Sequence, residues 1–561
     1  MANTYDAIVV GSGITGGWAA KELSEKGLKT LVLERGKKLD HVADYPHNNT
    51  APFQFEFRGQ VTPEVKKDYP VQSKVYAFNA GTKDYWVKDT EHPYTTPDDK
   101  PFSWIRGYHV GGRSLMWGRQ VYRWSDLDFS ANQKDGHGVD WPIRYADIAP
   151  WYDYVENYIG VSGQKEGLPQ LPDGQFLPPM EMNAVEKHVK QSIEGKWSDR
   201  NMTIGRAANL TQNHNGRSAC QHRNLCYRGC PFSAYFSSQS STLPAAAKTG
   251  NMTLRPNSVV ESVIYDDKTN RASGVRVIDA VTGETTEYFA KVVFLCASTL
   301  GSTWILLNSK NGQFENGMAN SSGALGKYLM DHHYRLGARA NIDGFDDRYY
   351  FGGRPNGIYV PRFRNVNEQR KDYLRGFGFQ GSASRAGWER GNWNGEFGAD
   401  FKNKLHQPGD WSMNLLGFGE CLPYAENNVR LNPEVKDVHG LPTLFIDGKF
   451  RENEDRMRED IKATAAEMLE AAGAKDIQVY DQKEDYVLGG GIHEMGTARM
   501  GRDPKTSVLN KWNQTHDIPN LFVTDGACMT SASCVNPSLT YMALTARAVN
   551  YAVEQLKKGN L

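Results

Sequence analysis

The stretch YDAIVVGSGITGGWAAKELSEKGLKTLVLERG, residues 5 to 36, leaves a chain few ways to fold. An apolar strand (Ala7 to Val10) runs into Gly11-x-Gly13-x-x-Gly16, a helical stretch ends near Gly27, and a second strand (Thr30 to Leu33) closes on Glu34. This is a βαβ dinucleotide unit. Gly11 makes the tight turn, Gly13 lets the backbone approach a pyrophosphate, and Gly16 permits close helix packing. The helix N-terminus then faces the phosphates, and Glu34 can accept from the adenosine ribose hydroxyls. NAD and FAD are equally served by such a unit.

At 561 residues the chain exceeds the size at which one core stops growing, so two or more domains are expected. Lys+Arg and Asp+Glu balance at 65 each, which removes the electrostatic footprint of a nucleic-acid or anionic-membrane binder. The longest apolar runs, such as VVFLCAS (292 to 298), are too short to span a bilayer. MANTYDAIVVGSG enters a strand without a charged-then-apolar leader, so the expectation is a chain with no export signal of its own.

Residues 45 to 105 lack clear periodicity and are dense in aromatics, which reads as long excursions packed over the core by their own rings. In HVGGRSLMWGRQVYRW (109 to 124), Gly111-Gly112 allows a second close backbone approach to a flat cofactor. MTLRPNSVVESVIYDDKTNRASGVRVID alternates like antiparallel strands with a turn at Asp267 to Asn270, and AKVVFLCASTLGSTWILLNS gives a buried strand, a small-residue turn and a helix. From about 331 to 480 strand-like segments with many aromatics precede a charged amphipathic helix, 451 to 472. The fold class expected is α/β: a Rossmann-like domain from 1–330 and 481–561, carrying an inserted α+β domain, 331–480, on an antiparallel sheet.

Three of the seven cysteines, Cys220, Cys226 and Cys230, fall within ACQHRNLCYRGCPF, residues 219 to 232, inside the first of these domains. The spacing C-x5-C-x3-C-P admits three readings: a metal centre, a disulfide with one free thiol, or three ordinary thiols. Structural zinc would want a fourth ligand, for which His214 and His222 are neighbours. The scattered Cys296, Cys421, Cys528 and Cys534 read as small buried residues.

The N-terminal βαβ unit, GALGKYLMDH (323 to 332), HEMGTARMG (493 to 501), NLFVTDGA and NPSLTYMALTARA occur in one order along nearly the whole chain. That order resembles the glucose-methanol-choline oxidoreductases, FAD flavoproteins, and within them the bacterial sugar and polyol dehydrogenase flavoprotein subunits, with pyranose oxidase a further cousin.

The resemblance implies an enzyme that oxidises a secondary hydroxyl of a sugar or glycoside to a ketone, with a lean toward C3 of glucosides, by hydride transfer to flavin. Such chemistry needs a base at the hydroxyl and a second polar group that fixes the oxygen. His493, in H-x-x-G-T, matches the family's catalytic histidine, and Asn536, in CVNPSLT, matches its partner position. Asp525-Gly526 matches the position that meets the FAD pyrophosphate and ribityl chain, and the helix beginning near Pro537 would point its N-terminus at the flavin's pyrimidine end. Met116 stands where pyranose oxidase carries a flavin-linked histidine, so non-covalent FAD is expected.

The cysteine spacing resembles that of cluster-bearing glucose dehydrogenase subunits, which implies a [3Fe-4S] cluster on Cys220, Cys226 and Cys230. A cluster implies single electrons leaving to a cytochrome-type acceptor. The same relatives work with a small companion subunit carrying the export signal, which implies a periplasmic complex, with cytoplasmic residence as the alternative. An oxygen-using oxidase and a non-redox FAD-containing lyase are the competing activities on this fold.

Overall fold

The computed structural model describes residues 3–349, 352–370, 372–387, 390–391 and 395–561. Its first sheet is built on the N-terminal unit: strand Thr4–Val10 pairs in parallel with Thr30–Leu33 on one side and with Thr285–Leu295 on the other. Met252–Arg255 extends it beyond Thr30–Leu33, again in parallel. Leu521–Val523 pairs with the last three residues of Thr285–Leu295, which returns the C-terminal segment to the glycine turn. The first half of that long strand pairs antiparallel with Arg271–Asp279, itself antiparallel to Ser258–Asp266, and the turn between those two falls at 267–270 as the alternation implies.

Ala7–Val10, Leu31–Leu33 and Val292–Leu295 are all buried. Strands covered on both faces gain nothing from polar alternation, so they read as unbroken apolar runs. Over one face, Ala19, Ala20 and Leu23 of helix Ile14–Glu25 share a core with Ala548, Val549 and Ala552 of the C-terminal helix Ser538–Lys557.

Among the described residues the second sheet has six strands, antiparallel throughout, in the order Lys475–Asp481, Leu336–Ile342, Trp411–Gly419, Phe377–Arg385, Ile358–Val360, Thr203–Ile204. Thr203–Ile204 and the helix Ala184–Lys196 come from upstream of residue 331 yet belong to this sheet's core: Val185, Val189 and Ile193 pack there beside Met457, Ile461 and Met468 of helix Glu452–Ala471. A strand's two-residue period separates the faces. Trp411, Met413 and Leu415 point at the helices, whereas Ser412, Asn414 and Leu416 line a cavity on the other side.

Between 45 and 105 the chain forms short turns and one helix, Pro63–Asp68, over a cluster of Tyr69, Phe78, Tyr85 and Trp86. These excursions are held by their own rings, as their composition suggests. Among the described residues no helix is long and apolar enough to cross a membrane.

Candidate active site

A single cavity of about 2030 Å³ runs from the glycine turn to the polar face of the second sheet. Gly11, at φ +96°, could not carry a Cβ, which would lie 2.5 Å from the Cys296 carbonyl oxygen, and a Cβ on Gly16 would fall 1.9 Å from the Gly11 oxygen. Gly13 differs. A Cβ there would meet nothing within 4 Å, so the missing methyl leaves open space at the start of helix Ile14–Glu25, whose first N–H groups have no intrahelical partners. Gly111 and Gly112 both have positive φ, and a Cβ on Gly112 would face the Gly13 Cα at 3.6 Å. The Gly111 N–H donates to Ser12 Oγ at 2.9 Å, which ties the two glycine turns together.

Glu34 is buried at the end of its strand and accepts from Ser12 N (3.1 Å), Ser12 Oγ (2.6 Å) and Gly36 N (2.8 Å). Burial pushes its carboxyl up, and a carboxylate's remaining lone pairs leave room for a further donor. Asp525 accepts from Ser302 Oγ and from Ala527 N at 3.0 Å, fixing the turn that presents Gly526, and burial raises its carboxyl to about 6. Gly11, Ser12, Gly13, Glu34, Gly112, Asp525 and Gly526 border the cavity, as do Pro537 and the first turn of the C-terminal helix. The open step at Gly13, the helix end behind it and the buried acceptor at Glu34 fit a dinucleotide cofactor.

His493 stands in a turn that needs to be held. Ile492 before it has φ 61°, a left-handed conformation that a β-branched residue adopts only under constraint. The constraint comes from Asp331. Its carboxylate accepts from Gly491 N (2.8 Å) and His493 N (3.0 Å) on one side of the turn, and from the adjacent His332 N (2.8 Å). Burial, with the nearby Glu494 charge, lifts Asp331 to about 7 despite those three donors.

The His493 ring lies between two partners. Its Nδ1 is 3.0 Å from His332 Nδ1, and its Nε2 is 3.4 Å from Asn536 Nδ2, inside the cavity. Asn536 is itself oriented by Gln380, whose Nε2 donates to Asn536 Oδ1 at 2.6 Å. His493 is held well below its ordinary value of 6.5 by burial, then by His332 and Arg113, so the ring is neutral near pH 7. A hydroxyl entering here meets a ring nitrogen and an amide N–H at one point.

The structure thus brings His493 and Asn536 together. Asp331 and His332 lie in or beside a segment that the family order picks out without giving it a task, and Gln380 sits in a strand whose alternation marks a face but no chemistry. Next to them Arg113 forms a two-point ion pair with Glu494, at 3.3 and 3.0 Å. The Glu494 carbonyl accepts from Thr299 Oγ1 at 2.5 Å. Beyond Leu416 and Phe418, the second sheet offers Ser382, Asn414, Arg339 and Gln478 in one cross-strand row toward the cavity.

Cys220, Cys226 and Cys230 are half-buried, free, and line one small cleft, and Cys220 also borders the large cavity. The pairing of two of them as a disulfide is not present. Among the described residues no three His, Cys, Asp or Glu side chains are grouped so as to hold a metal ion, and the cluster expected on the three thiols is not shown. His214 turns its Nε2 to the Asn157 carbonyl. Met116 is buried at the cavity wall and offers no ring nitrogen for a flavin link.

Comparison with known proteins adds the family. The models described as GMC oxidoreductase match residues 5–334 and 423–545. The 2-methyl-1,2-propanediol dehydrogenase of Mycolicibacterium austroafricanum is 29% identical, covering 98% of this chain and 95% of its own length. The fructose dehydrogenase large subunit of Gluconobacter japonicus is 25% identical, covering 99% and 98%. Among solved structures, pyridoxine 4-oxidase from Mesorbium loti shares the fold with a TM-score of 0.60 at 16% identity, over 98% of this chain and 99% of its own.

Proposed function

The chain belongs to the GMC oxidoreductases, FAD-dependent enzymes that oxidise CH–OH groups, and from that premise we propose that it oxidises a secondary hydroxyl of a sugar or glycoside to a ketone, with C3 of glucosides as the leading position. The observation that carries the reading is the convergence of His493 Nε2 and Asn536 Nδ2, 3.4 Å apart, on one point of the cavity.

FAD, when bound, supplies the acceptor for the hydride that leaves the carbinol carbon. Gly11, Gly13, Gly112, Glu34 and the 525–526 turn would hold it. The chain's own work is with the proton and the oxygen. His493 Nε2 takes the hydroxyl proton while Asn536 Nδ2 donates to the oxygen as it gains charge, which lowers the barrier to losing the hydride. Neither group acts at a distance: the Asp331-held turn and Gln380 fix where the two atoms point. A polyol substrate is supported by the row Ser382, Asn414, Arg339 and Gln478, whose amide, hydroxyl and guanidinium groups suit several neutral oxygens at once.

The proposal extends to where the electrons go. A [3Fe-4S] cluster on Cys220, Cys226 and Cys230, a cytochrome-type acceptor and a small companion subunit in the periplasm complete it. Two facts speak for this part: the three thiols share one cleft beside the cavity, and the fructose dehydrogenase relative is a large subunit. As the cysteines stand they do not form a metal-holding group, so no catalytic step is assigned to them.

Anaerobic mixing of the FAD-loaded protein with a panel of sugars, glycosides and simple diols tests the reading. Bleaching of the flavin by sugars or glycosides is the expected result. A panel in which only small diols, or no alcohols at all, reduce the flavin overturns it. Fractionation of cells tests the periplasmic location.

A further inference from the structure

We infer that His332 is a positioning residue that fixes the proton on His493 Nδ1 and so keeps His493 Nε2 bare for the substrate hydroxyl. The inference rests on His493 being the base of the proposed reaction, but its geometry can be read without that.

A backbone carbonyl can only accept, and His332 Nε2 lies 3.2 Å from the Ala532 oxygen, so Nε2 carries a hydrogen. His332 is 1% exposed, and burial lowers it to about 4, so at neutral pH the ring holds one proton, the one on Nε2. His332 Nδ1 is therefore a lone pair. It faces His493 Nδ1 at 3.0 Å, a distance that two lone pairs would not keep, so His493 Nδ1 is the donor. His493 is neutral too, with one proton now placed, and its Nε2 is left as an acceptor.

The far side agrees independently. Asn536 presents an N–H to His493 Nε2, because Gln380 has claimed the Asn536 oxygen. Had His493 carried its proton on Nε2, two donors would face each other there. The contacts thus run donor to acceptor from Gln380 through Asn536, His493 and His332 to the Ala532 carbonyl, and the His493 Nε2 lone pair is the point where a hydroxyl proton fits.

This arrangement serves the reaction at both of its ends. Before proton transfer it holds the imidazole in the competent tautomer, which an isolated neutral histidine would share with the other. After transfer, His493 is an imidazolium with hydrogens on both nitrogens, and His332 Nδ1 still accepts from one of them. The rings cross at 77°, with centroids 4.9 Å apart, so the contact is edge-on through the nitrogens and not a stack.

The test is a side-chain ¹⁵N spectrum of the FAD-loaded full chain labelled at histidine. Signals are assigned by their loss in His332→Gln and His493→Gln. The expected result is a protonated Nδ1 and an unprotonated Nε2 for His493, with the opposite pattern for His332. A proton on His493 Nε2 overturns the inference. Kinetics provide a second arm. His332→Leu removes the acceptor and is expected to slow substrate-driven flavin reduction at least tenfold, within the roughly hundredfold to ten-thousandfold that losing a base entirely costs, while leaving substrate affinity unchanged. His332→Gln, whose amide can donate to Ala532 and accept from His493, is expected to restore most of the rate. If Leu and Gln variants with bound FAD behave alike, His332 is only packing. If the tautomers are as expected but no alcohol reduces the flavin, the proposed function has failed and the positioning stands.

Discussion

Gln380 and Asn536 meet across the boundary between the two sheets: Gln380, on strand Phe377–Arg385 of the second, donates to the Oδ1 of Asn536, which precedes the C-terminal helix packed on the first. The distance is 2.6 Å. One hydrogen bond therefore couples the substrate-facing sheet to the reacting centre and selects which end of the Asn536 amide faces His493.

Gln380→Leu tests that coupling. The variant leaves Asn536 free to turn its oxygen toward His493 Nε2, where two acceptors would repel. Flavin reduction is expected to slow by about tenfold to a hundredfold, the scale of a misoriented hydrogen-bonding group rather than a missing base. FAD content and the melting temperature should stay near those of the parent, since Gln380 borders the cavity and not a core. A parental rate would mean that Asn536 is held by something else.

Removal of the two groups themselves should cost more. His493→Ala is expected to lower the reduction rate by roughly a hundredfold to ten-thousandfold, and Asn536→Ala by about ten- to a hundredfold. Both should retain FAD, because neither side chain is hydrogen-bonded to the glycine turns or to Glu34. The double variant should lose less than the two effects combined, since both groups act on one oxygen. Stopped-flow reduction of each purified holoprotein gives the comparison.

The parts of this site that were legible in the sequence are those whose job is done by backbone. Gly11 and Gly16 are required by contacts of 2.5 and 1.9 Å that any Cβ would make, and such requirements leave a readable spacing. His493 and Asn536 were legible only because motifs carry them. Gln380 and His332 were not assigned, for a physical reason: each acts through another side chain, and any polar residue at the right point of a strand gives the same local pattern. The second sheet's antiparallel character was expected from the strand-like, aromatic-rich segments between 331 and 480. Its recruitment of Thr203–Ile204 was not, because a two-residue strand is set by what it pairs with.

Gly13 and Gly16 should separate binding from folding. A Cβ on Gly13 enters open space, so Gly13→Ala is expected to fold with a melting temperature close to the parental apoprotein while binding FAD at least tenfold more weakly, as the methyl occupies the place of the pyrophosphate. Gly16→Ala drives its Cβ against the Gly11 carbonyl and is expected to unfold at lower temperature even without cofactor. Calorimetry of both apoproteins decides the matter. Equal melting temperatures, or normal FAD affinity in Gly13→Ala, would contradict the geometry.

Iron analysis addresses the cysteine cleft. If the three thiols hold a [3Fe-4S] cluster, protein purified anaerobically carries about three irons per chain and a visible absorbance beyond that of flavin. Cys226→Ser should then lose the iron, keep FAD, and still be reduced by substrate, because the thiol lies in the small cleft and not beside His493. No iron, or one zinc instead, would remove the electron-exit part of the proposal without touching the oxidation chemistry.

The pH dependence follows from the groups that surround His493. Its base form is the neutral ring, present above its own pKa and lost as pH falls through it. Burial, His332 and Arg113 hold that pKa well below 6.5, and the Arg113 charge is partly met by Glu494. The acid limb of kcat/KM for flavin reduction is therefore expected well below pH 6.5. Asp331 adds a second feature. Its carboxyl titrates at about 7, and the carboxylate formed above that pH sits under the turn where His493 becomes positive as it takes the proton. The rate should rise severalfold through pH 7 and then level. For stability the sign is opposite. A carboxyl raised from 3.8 to about 7 on folding favours the folded state below the lower value, and that contribution is lost as pH climbs to the upper one. Asp331→Asn should flatten the step in rate near pH 7 and remove this decline from the melting curves, while leaving the acid limb of His493 in place. A wild-type acid limb at or above 6.5 would show that the base is not the buried ring described, whatever Asp331 does.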